Sequence, residues 1–111
     1  MPETNGKTYA AIACRATSNV IVPAREGKVA KVFSLAVAIN GAATFYLKSS
    51  GGDALSGSSS NPYSTDYVNG LGLEPSDEPH LVAPVGEGIK LILSASVPAS
   101  GHISYRYDDP E

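Results

Sequence analysis

The chain has 111 residues, a formal net charge of −3 and only 17% charged residues. This length suits one domain with its own hydrophobic core, and the content of 11 Gly and 8 Pro argues against a helical bundle. The Lys and Arg residues are dispersed along the sequence, so we expect no nucleic-acid partner. No apolar run approaches the roughly 18 residues of a membrane-spanning helix, and we expect no membrane partner.

Two strands are predicted near the N-terminus. The segment 7–16 is apolar with small side chains, which indicates a first strand. The β-branched run 20–22 indicates a second strand, which Pro23 ends because proline cannot donate to a sheet ladder.

Residues 29–39 alternate between larger and smaller side chains, which is the period of a half-buried strand. The same segment also fits one face of a helix. Asn40-Gly41 decides between the two, because this pair tolerates the positive φ that a two-residue hairpin turn requires. We therefore predict a strand over 29–39 that forms a hairpin with a strand over 42–48.

A second hairpin is predicted in the C-terminal third. Apolar residues occupy the odd positions of 89–97, a turn follows at 98–101, and alternation resumes over 102–107. The segments 22–29 and 82–89 also resemble each other, since each has a short apolar run, a proline and a Gly/Glu turn. Such a repeat suggests two similar β units that face each other, as in a sandwich.

These patterns predict an all-β fold. We expect a single antiparallel β-sandwich, jelly-roll-like or Ig-like, with about seven or eight strands. The sandwich domain is expected to span 7–107, between a flexible N-terminal arm at 1–6 and an acidic tail at 108–111.

The segment 49–79 is rich in Ser, Gly and Pro and predicts a long loop. Within it, 53–56 and 71–73 are expected to form short strands. A loop of this length in a compact domain is usually functional or disordered. Tyr63 and Tyr67 stand out there, because tyrosine combines a large contact area with a hydrogen-bonding tip. We expect them to contact a partner; the alternative is that they fold back onto the sandwich.

Few residues carry reactive chemistry. Cys14 has no second cysteine to pair with and is expected to be a small buried hydrophobic residue. A nucleophilic Cys14 would need a base, for which only His80 and His102 are available. Two isolated histidines also make a poor zinc site, and the common phosphate-binding and hydrolase motifs do not occur. We expect no metal, no cofactor and no enzymatic activity.

Three segments together resemble a known group of proteins. The strand over 45–48 is followed by Ser/Gly and then Ala-Leu-Ser-Gly; 86–94 reads Gly-Glu-x-Ile-x-Leu-x-Leu-Ser; and 100–105 reads Ser-Gly-x-Ile-x-Tyr. This order is similar to that of the small all-β virion proteins of tailed bacteriophages, of the capsid decoration (cement) or head-attached type. The resemblance covers roughly residues 20–107.

The resemblance implies a non-enzymatic structural virion protein, most simply a capsid decoration (cement) protein that binds and stabilises the assembled phage head. Its location would be the capsid surface, and the host cytoplasm during assembly. Its partner would be the major capsid protein or another virion protein, and self-association as a homo-oligomer, with a trimer favoured, would multiply weak contacts. The candidate partner-binding residues are Tyr63, Tyr67, Tyr46, Asn61 and Thr8.

Two alternatives remain open at this point. One is a carbohydrate- or receptor-binding β-sandwich on a phage tail or head fibre, in which Tyr63, Tyr67 and Asn61 would stack on a sugar and hydrogen-bond to it. The other is a small hydrolase that uses Cys14 or His80.

Overall fold

A computed structural model describes residues 6–110, in which ten β-strands and no helix are found. The predicted all-β fold is therefore confirmed. The strands are β1 (Thr8–Cys14), β2 (Ser18–Val22), β3 (Val29–Ile39), β4 (Thr44–Ser49), β5 (Ala54–Ser56), β6 (Tyr63–Ser64), β7 (Gly70–Leu73), β8 (Leu81–Val82), β9 (Ile89–Leu93) and β10 (Ala99–Asp108).

The strands form two antiparallel five-stranded sheets. Sheet A has the order β1-β10-β3-β7, with β8 also paired to β3, and sheet B has the order β2-β9-β4-β5, with β6 also paired to β4. The strands β4 and β9 of sheet B both alternate between buried and partly exposed positions along their whole length. Buried side chains of both sheets belong to one core cluster, so one face of each sheet points into a shared core, as expected for a sandwich.

The core consists of the inward side chains of both sheets. Its largest completely buried members in sheet A come from β3 and β10, and those in sheet B come from β4 and β9. These central strands are Leu-, Ile- and Phe-rich, so burial of their apolar faces supplies most of the stabilisation. The fully buried side chains in this shared core include Val32, Leu35, Phe45, Leu47, Ile89, Leu91, Leu93 and Ile103.

The predicted hairpin at Asn40-Gly41 is wrong. β3 belongs to sheet A and β4 to sheet B, so the chain crosses between the sheets at this turn. The backbone NH groups of Ile39 and Asn40 donate to Asn69 and Pro98 at 2.6 and 2.8 Å, rather than across a hairpin. A crossing turn satisfies the same alternation, because the apolar faces of β3 and β4 then meet from opposite sides of the core.

The predicted C-terminal hairpin is wrong for the same reason. β9 ends at Leu93 in sheet B, and β10 begins at Ala99 in sheet A. Both strands exist and bury one face each, as predicted, but they bury it from opposite sheets. β10 also extends through Asp108, which pairs with Val29. The acidic segment that was expected to form a tail therefore begins inside the sheet.

A β-bulge at Phe33 changes the predicted face of β3. Ser34 pairs with Ser104, but the next residue of β10, Tyr105, pairs with Val32, so Phe33 is the extra residue. Val32 and Leu35 therefore both point into the core, while Phe33 lies outside the core cluster. The expected alternation of large side chains holds only beyond the bulge.

The suspected internal repeat has a topological counterpart. β3 lies between β10 and β8, and β9 lies between β4 and β2, so the units β2-β3-β4 and β8-β9-β10 exchange roles between the sheets. The turns that precede β3 and β9 also match. Lys28 N donates to Arg25 O and Glu87 N to Pro84 O, both at 3.1 Å, and glycines with φ of 75° and 80° stand at the third position of each turn.

The Ser/Gly/Pro-rich segment is more structured than a single loop. The predicted short strands correspond to β5 and β7, whereas β6 was not predicted. β6 pairs with the start of β4 and so extends sheet B. The N-terminal arm lies, apart from Gly6, outside the described residues. None of the residues 6–110 forms a helix that could cross a bilayer.

Candidate partner-binding surface

Tyr63 is half-buried in β6. Its ring stacks on Phe45, with ring centroids 5.5 Å apart and ring planes inclined by 28°. Its hydroxyl shares a hydrogen bond of 2.8 Å with Ser56 Oγ, and its side chain packs against the core cluster. Tyr63 therefore folds back onto the sandwich, and only part of the side chain is open to a partner.

Tyr67 is displayed at the tip of a tight turn. The backbone NH groups of Tyr67 and Val68 both donate to Ser64 O at 3.0 Å, and Asp66 N donates to Ser64 Oγ at 3.2 Å. The side chain of Tyr67 is 89% exposed. The turn thus ties down the backbone of an aromatic residue whose side chain lies in solvent, which suits contact with a ligand or a partner.

The other three candidate residues do not form one cluster. Tyr46 lies on the outer side of β4, where Gly57 approaches both Tyr46 and Tyr63. Asn61 is exposed in the turn that leads into β6. Thr8 begins β1 at the edge of sheet A, whereas Tyr46 and Tyr63 belong to sheet B. The structure therefore groups Tyr46, Asn61 and Tyr63 around one sheet and places Thr8 on the other.

Two lysines stand directly opposite each other on the outer face of sheet B. Lys48 of β4 pairs with Lys90 of β9, and in the adjacent row Tyr46 pairs with Ile92. Each of these four residues is partly exposed and lies between two buried neighbours, so all four point outward. Val20 of β2 pairs with Lys90 on its other side and is 61% exposed. These five residues are called the lysine face.

Within residues 6–110, no acidic side chain neutralises the charge of the lysine face. Like charges directly opposite each other on neighbouring strands destabilise a sheet. The strands β2, β4 and β9 contain no acidic residue. Within residues 6–110, neither Lys48 nor Lys90 makes an ion pair or a contact with an aromatic ring.

The cations associated with sheet A, unlike the two lysines of the lysine face, make ion pairs or contact aromatic rings. Lys31 Nζ and Arg106 Nε reach the two oxygens of Asp108 at 3.0 and 2.7 Å, and Lys28 pairs with Asp109. Hydrogen bonding from Arg106, with help from Lys31, lowers the pKa of Asp108 to about 2. Two further cations lie over aromatic rings: Lys7 over Phe33 and Arg25 over Tyr107. Among residues 6–110 only Arg15 shares the unpaired state of the two face lysines.

Cys14 packs against the core and does not meet a histidine. It is the last residue of β1 and pairs with Ala99. Burial raises the pKa of its thiol, which lowers the fraction of reactive thiolate at neutral pH. His102 lies on β10 with its side chain on the outer face of sheet A, and His80 lies in the loop before β8, where its Nε2 is 2.6 Å from Glu74 O. The residues required for a thiol nucleophile are thus on different faces and loops.

No group of three or more His, Cys, Asp or Glu side chains within residues 6–110 is close enough to hold a metal ion. The groups that the lysine face exposes are one tyrosine ring, two apolar side chains and two ammonium groups.

Sequence reasoning missed the lysine face. Lys48 and Lys90 are separated by more than forty positions, so their neighbourhood depends on the register of β4 against β9. The available signal was that both lysines interrupt alternating apolar strands on the outward side. Alternation does not reveal which strands pair, so the basic residues looked dispersed.

Comparison of the chain with models of protein families, with curated proteins and with solved structures gives no significant match.

Proposed function

We propose that this chain is a non-enzymatic structural virion protein, a capsid decoration (cement) protein that binds and stabilises an assembled phage head. Two features support the proposal: the resemblance of its strand-and-turn order to small all-β virion proteins, and a two-sheet sandwich that presents the lysine face on the outside of sheet B. The observation that carries it is the pair Lys48–Lys90, to which residues 6–110 supply no counter-charge and beside which Tyr46, Ile92 and Val20 lie.

The chemistry of the lysine face favours a protein surface as its partner. Two opposed ammonium groups repel each other until carboxylates of a partner lie between them, so binding removes an unfavourable interaction of the free protein. The neighbouring tyrosine, isoleucine and valine supply apolar contact area. Two lysines are too few to neutralise a run of phosphates, and the net charge of −3 would oppose a polyanion.

Stabilisation of a shell follows from bridging its subunits. A decoration protein that buries surface on two adjacent capsid subunits raises the free energy needed to separate them. A cyclic homotrimer on a local threefold axis would present three copies of the lysine face at once, and the contacts would gain by avidity.

The test is co-sedimentation of the purified chain with empty heads assembled from the major capsid protein encoded in the same genome. The wild-type chain should sediment with the heads and raise the temperature at which they dissociate. The double substitution Lys48→Glu with Lys90→Glu should weaken binding by about tenfold or more, because it places carboxylates against carboxylates. Raising the salt concentration should weaken the wild-type interaction.

Arg15→Glu provides the matched control. Arg15 is an exposed cation without an ion pair in residues 6–110, and it lies outside the lysine face. Its reversal should change binding by less than about twofold. Equal losses in both variants would mean that only net charge matters, and a chain that never sediments with heads would refute the proposed function.

A further inference from the structure

A groove of about 680 Å³ opens where the turn 40–43 meets the turn 65–69. Its floor includes Ala38 and Ser100, which are paired neighbours on β3 and β10 and are both exposed. Small side chains on the floor let a ligand approach the backbone closely. The volume lies within the range of typical small-molecule sites.

The walls of the groove are fixed by the fold. Thr65 N donates to Ala43 O at 3.0 Å, and Ala43 N donates to Thr65 Oγ1 at 3.0 Å. Ile39 N donates to Asn69 O at 2.6 Å, which ties the far end of the second turn to β3. These bonds hold the two turns against each other, so a ligand would meet a preformed site and would lose little affinity to ordering of the walls.

Three polar side chains on the rim have no hydrogen-bond partner among residues 6–110. Asn40, Asp66 and Asn69 line the groove and are exposed. Their backbones take part in the turns, but none of their side chains makes a hydrogen bond within residues 6–110. The rim therefore offers two carboxamides and a carboxylate, and Tyr67, 89% exposed, is the next residue in the chain after Asp66.

We propose that this groove binds a neutral saccharide. Carboxamides both donate and accept hydrogen bonds, and a carboxylate accepts them, which matches the vicinal hydroxyl groups of a sugar ring. The groove contains no basic residue to attract an anionic ligand and no exposed large aliphatic side chain to favour an apolar one. Tyr67 does not line the groove, but its exposed ring is one residue from Asp66 and would be available to stack on the C–H groups of a pyranose that extends beyond the rim.

The site differs from a tyrosine-rich sugar site predicted from the sequence. Tyr63 stacks on Phe45 and is only partly exposed, so it offers no open ring face of the kind that Tyr67 has. The groove instead uses Asn40 and Asn69, which the sequence does not single out. Because its floor lies on the outer face of sheet A, it stays open when the lysine face of sheet B is covered.

The experiment uses the soluble chain alone, so its result does not depend on binding to phage heads. A panel of neutral oligosaccharides built from glucose, galactose, mannose and N-acetylglucosamine is screened by saturation-transfer NMR, with a sialylated oligosaccharide as the anionic comparator. At least one neutral member should bind, and its titration should shift the backbone amide signals of 40–43 and 65–69. The double substitution Asp66→Ala with Asn69→Ala should weaken binding by about tenfold or more, since it removes several hydrogen bonds.

Asn61→Ala is the matched control, because Asn61 is an exposed asparagine outside the groove. It should bind the same sugar within about twofold of the wild type. The proposal is overturned if no neutral sugar binds, if only the sialylated comparator binds, or if Asn61→Ala loses as much affinity as the groove variant. Loss of binding on addition of EDTA would assign Asp66 to a cation and would equally overturn direct recognition. If the groove variant does not fold, the wild-type titration is the test: shifts at 40–43 and 65–69 support the proposal, and shifts confined to other residues overturn it.

Discussion

The outer faces of the two sheets differ in whether their positively charged side chains have partners within residues 6–110. On sheet A, the guanidinium of Arg106 and the ammonium of Lys7 lie over the ring of Phe33 at 4.7 and 4.6 Å. Arg106 also reaches Asp108, which Lys31 shares. On sheet B, Lys48 faces Lys90, and residues 6–110 supply no counter-charge to either.

The difference separates a face that stabilises the fold from a face that is available to a partner. Satisfied charges and a buried ring contribute to folding whether or not anything binds. Opposed, unsatisfied charges reduce the stability of the free protein and gain only when a complementary surface arrives. The net charge of the protein therefore does not show that the charges on one face are paired and those on the other are not.

The largest expected effect is on the sheet A face. Phe33 is 1% exposed although it points away from the core, because Lys7 and Arg106 cover it. Phe33→Ala should lower the free energy of unfolding by about 3 kcal/mol, as measured by urea denaturation. The equivalent change on sheet B, Ile92→Ala, should cost only about 1 kcal/mol, since this side chain is partly exposed. Equal costs would show that the two outer faces are not different in kind.

The ion-pair cluster of sheet A gives a pH-dependent effect. The pKa of Asp108 is lowered to about 2 from its ordinary 3.8, so its stabilisation is fully present above about pH 4 and is lost as the pH falls through 4 towards 2. Partial exposure reduces the contribution to about 1 kcal/mol. Asp108→Asn should therefore be less stable than the wild type by this amount at pH 7, and the two should converge near pH 2.

The control for this measurement is Asp77→Asn. Asp77 is exposed and makes no ion pair in residues 6–110. Its substitution should leave the difference from the wild type close to zero at both pH values. A difference that stays constant from pH 7 to pH 2 for Asp108→Asn would mean that the carboxylate acts through packing and not through its charge.

The strands were predictable from the sequence, but their sheets were not. Alternation in 29–39 and 89–93 identifies which side of each strand is buried, and this was correct beyond the bulge at Phe33. It does not say whether the next strand returns in the same sheet or crosses to the other one, because both paths bury the same side chains. Asn40-Gly41 favoured the hairpin locally, and the backbone bonds to Asn69 and Pro98 outweigh that preference.

The candidate surfaces depended on the same missing information. Tyr67 could be singled out because a tyrosine in a polar loop is conspicuous by itself, and the structure shows it exposed. Lys48 and Lys90 become a pair only through the register of β4 against β9. Asn40 and Asp66 line one groove only because the turn 65–69 returns to the end of β3. Each of these juxtapositions is set by long-range pairing, which no local pattern specifies.

The smallest expected effect distinguishes the two faces most directly. A Lys→Glu substitution should raise the free energy of unfolding on one face and lower it on the other. Lys48→Glu places a carboxylate opposite Lys90 and should raise the free energy of unfolding by about 0.5 kcal/mol. Lys31→Glu places a carboxylate beside Asp108 and should lower it by at least about the same amount. Thermal unfolding at low salt measures both, and high salt should shrink both changes. If Lys48→Glu is destabilising, the two lysines are already neutralised in solution. Their unpaired charge then no longer supports the lysine face as a docking surface. If Lys48→Glu stabilises the fold and also weakens binding to phage heads, the wild-type lysine at this position lowers the stability of the free protein and strengthens contact with the partner.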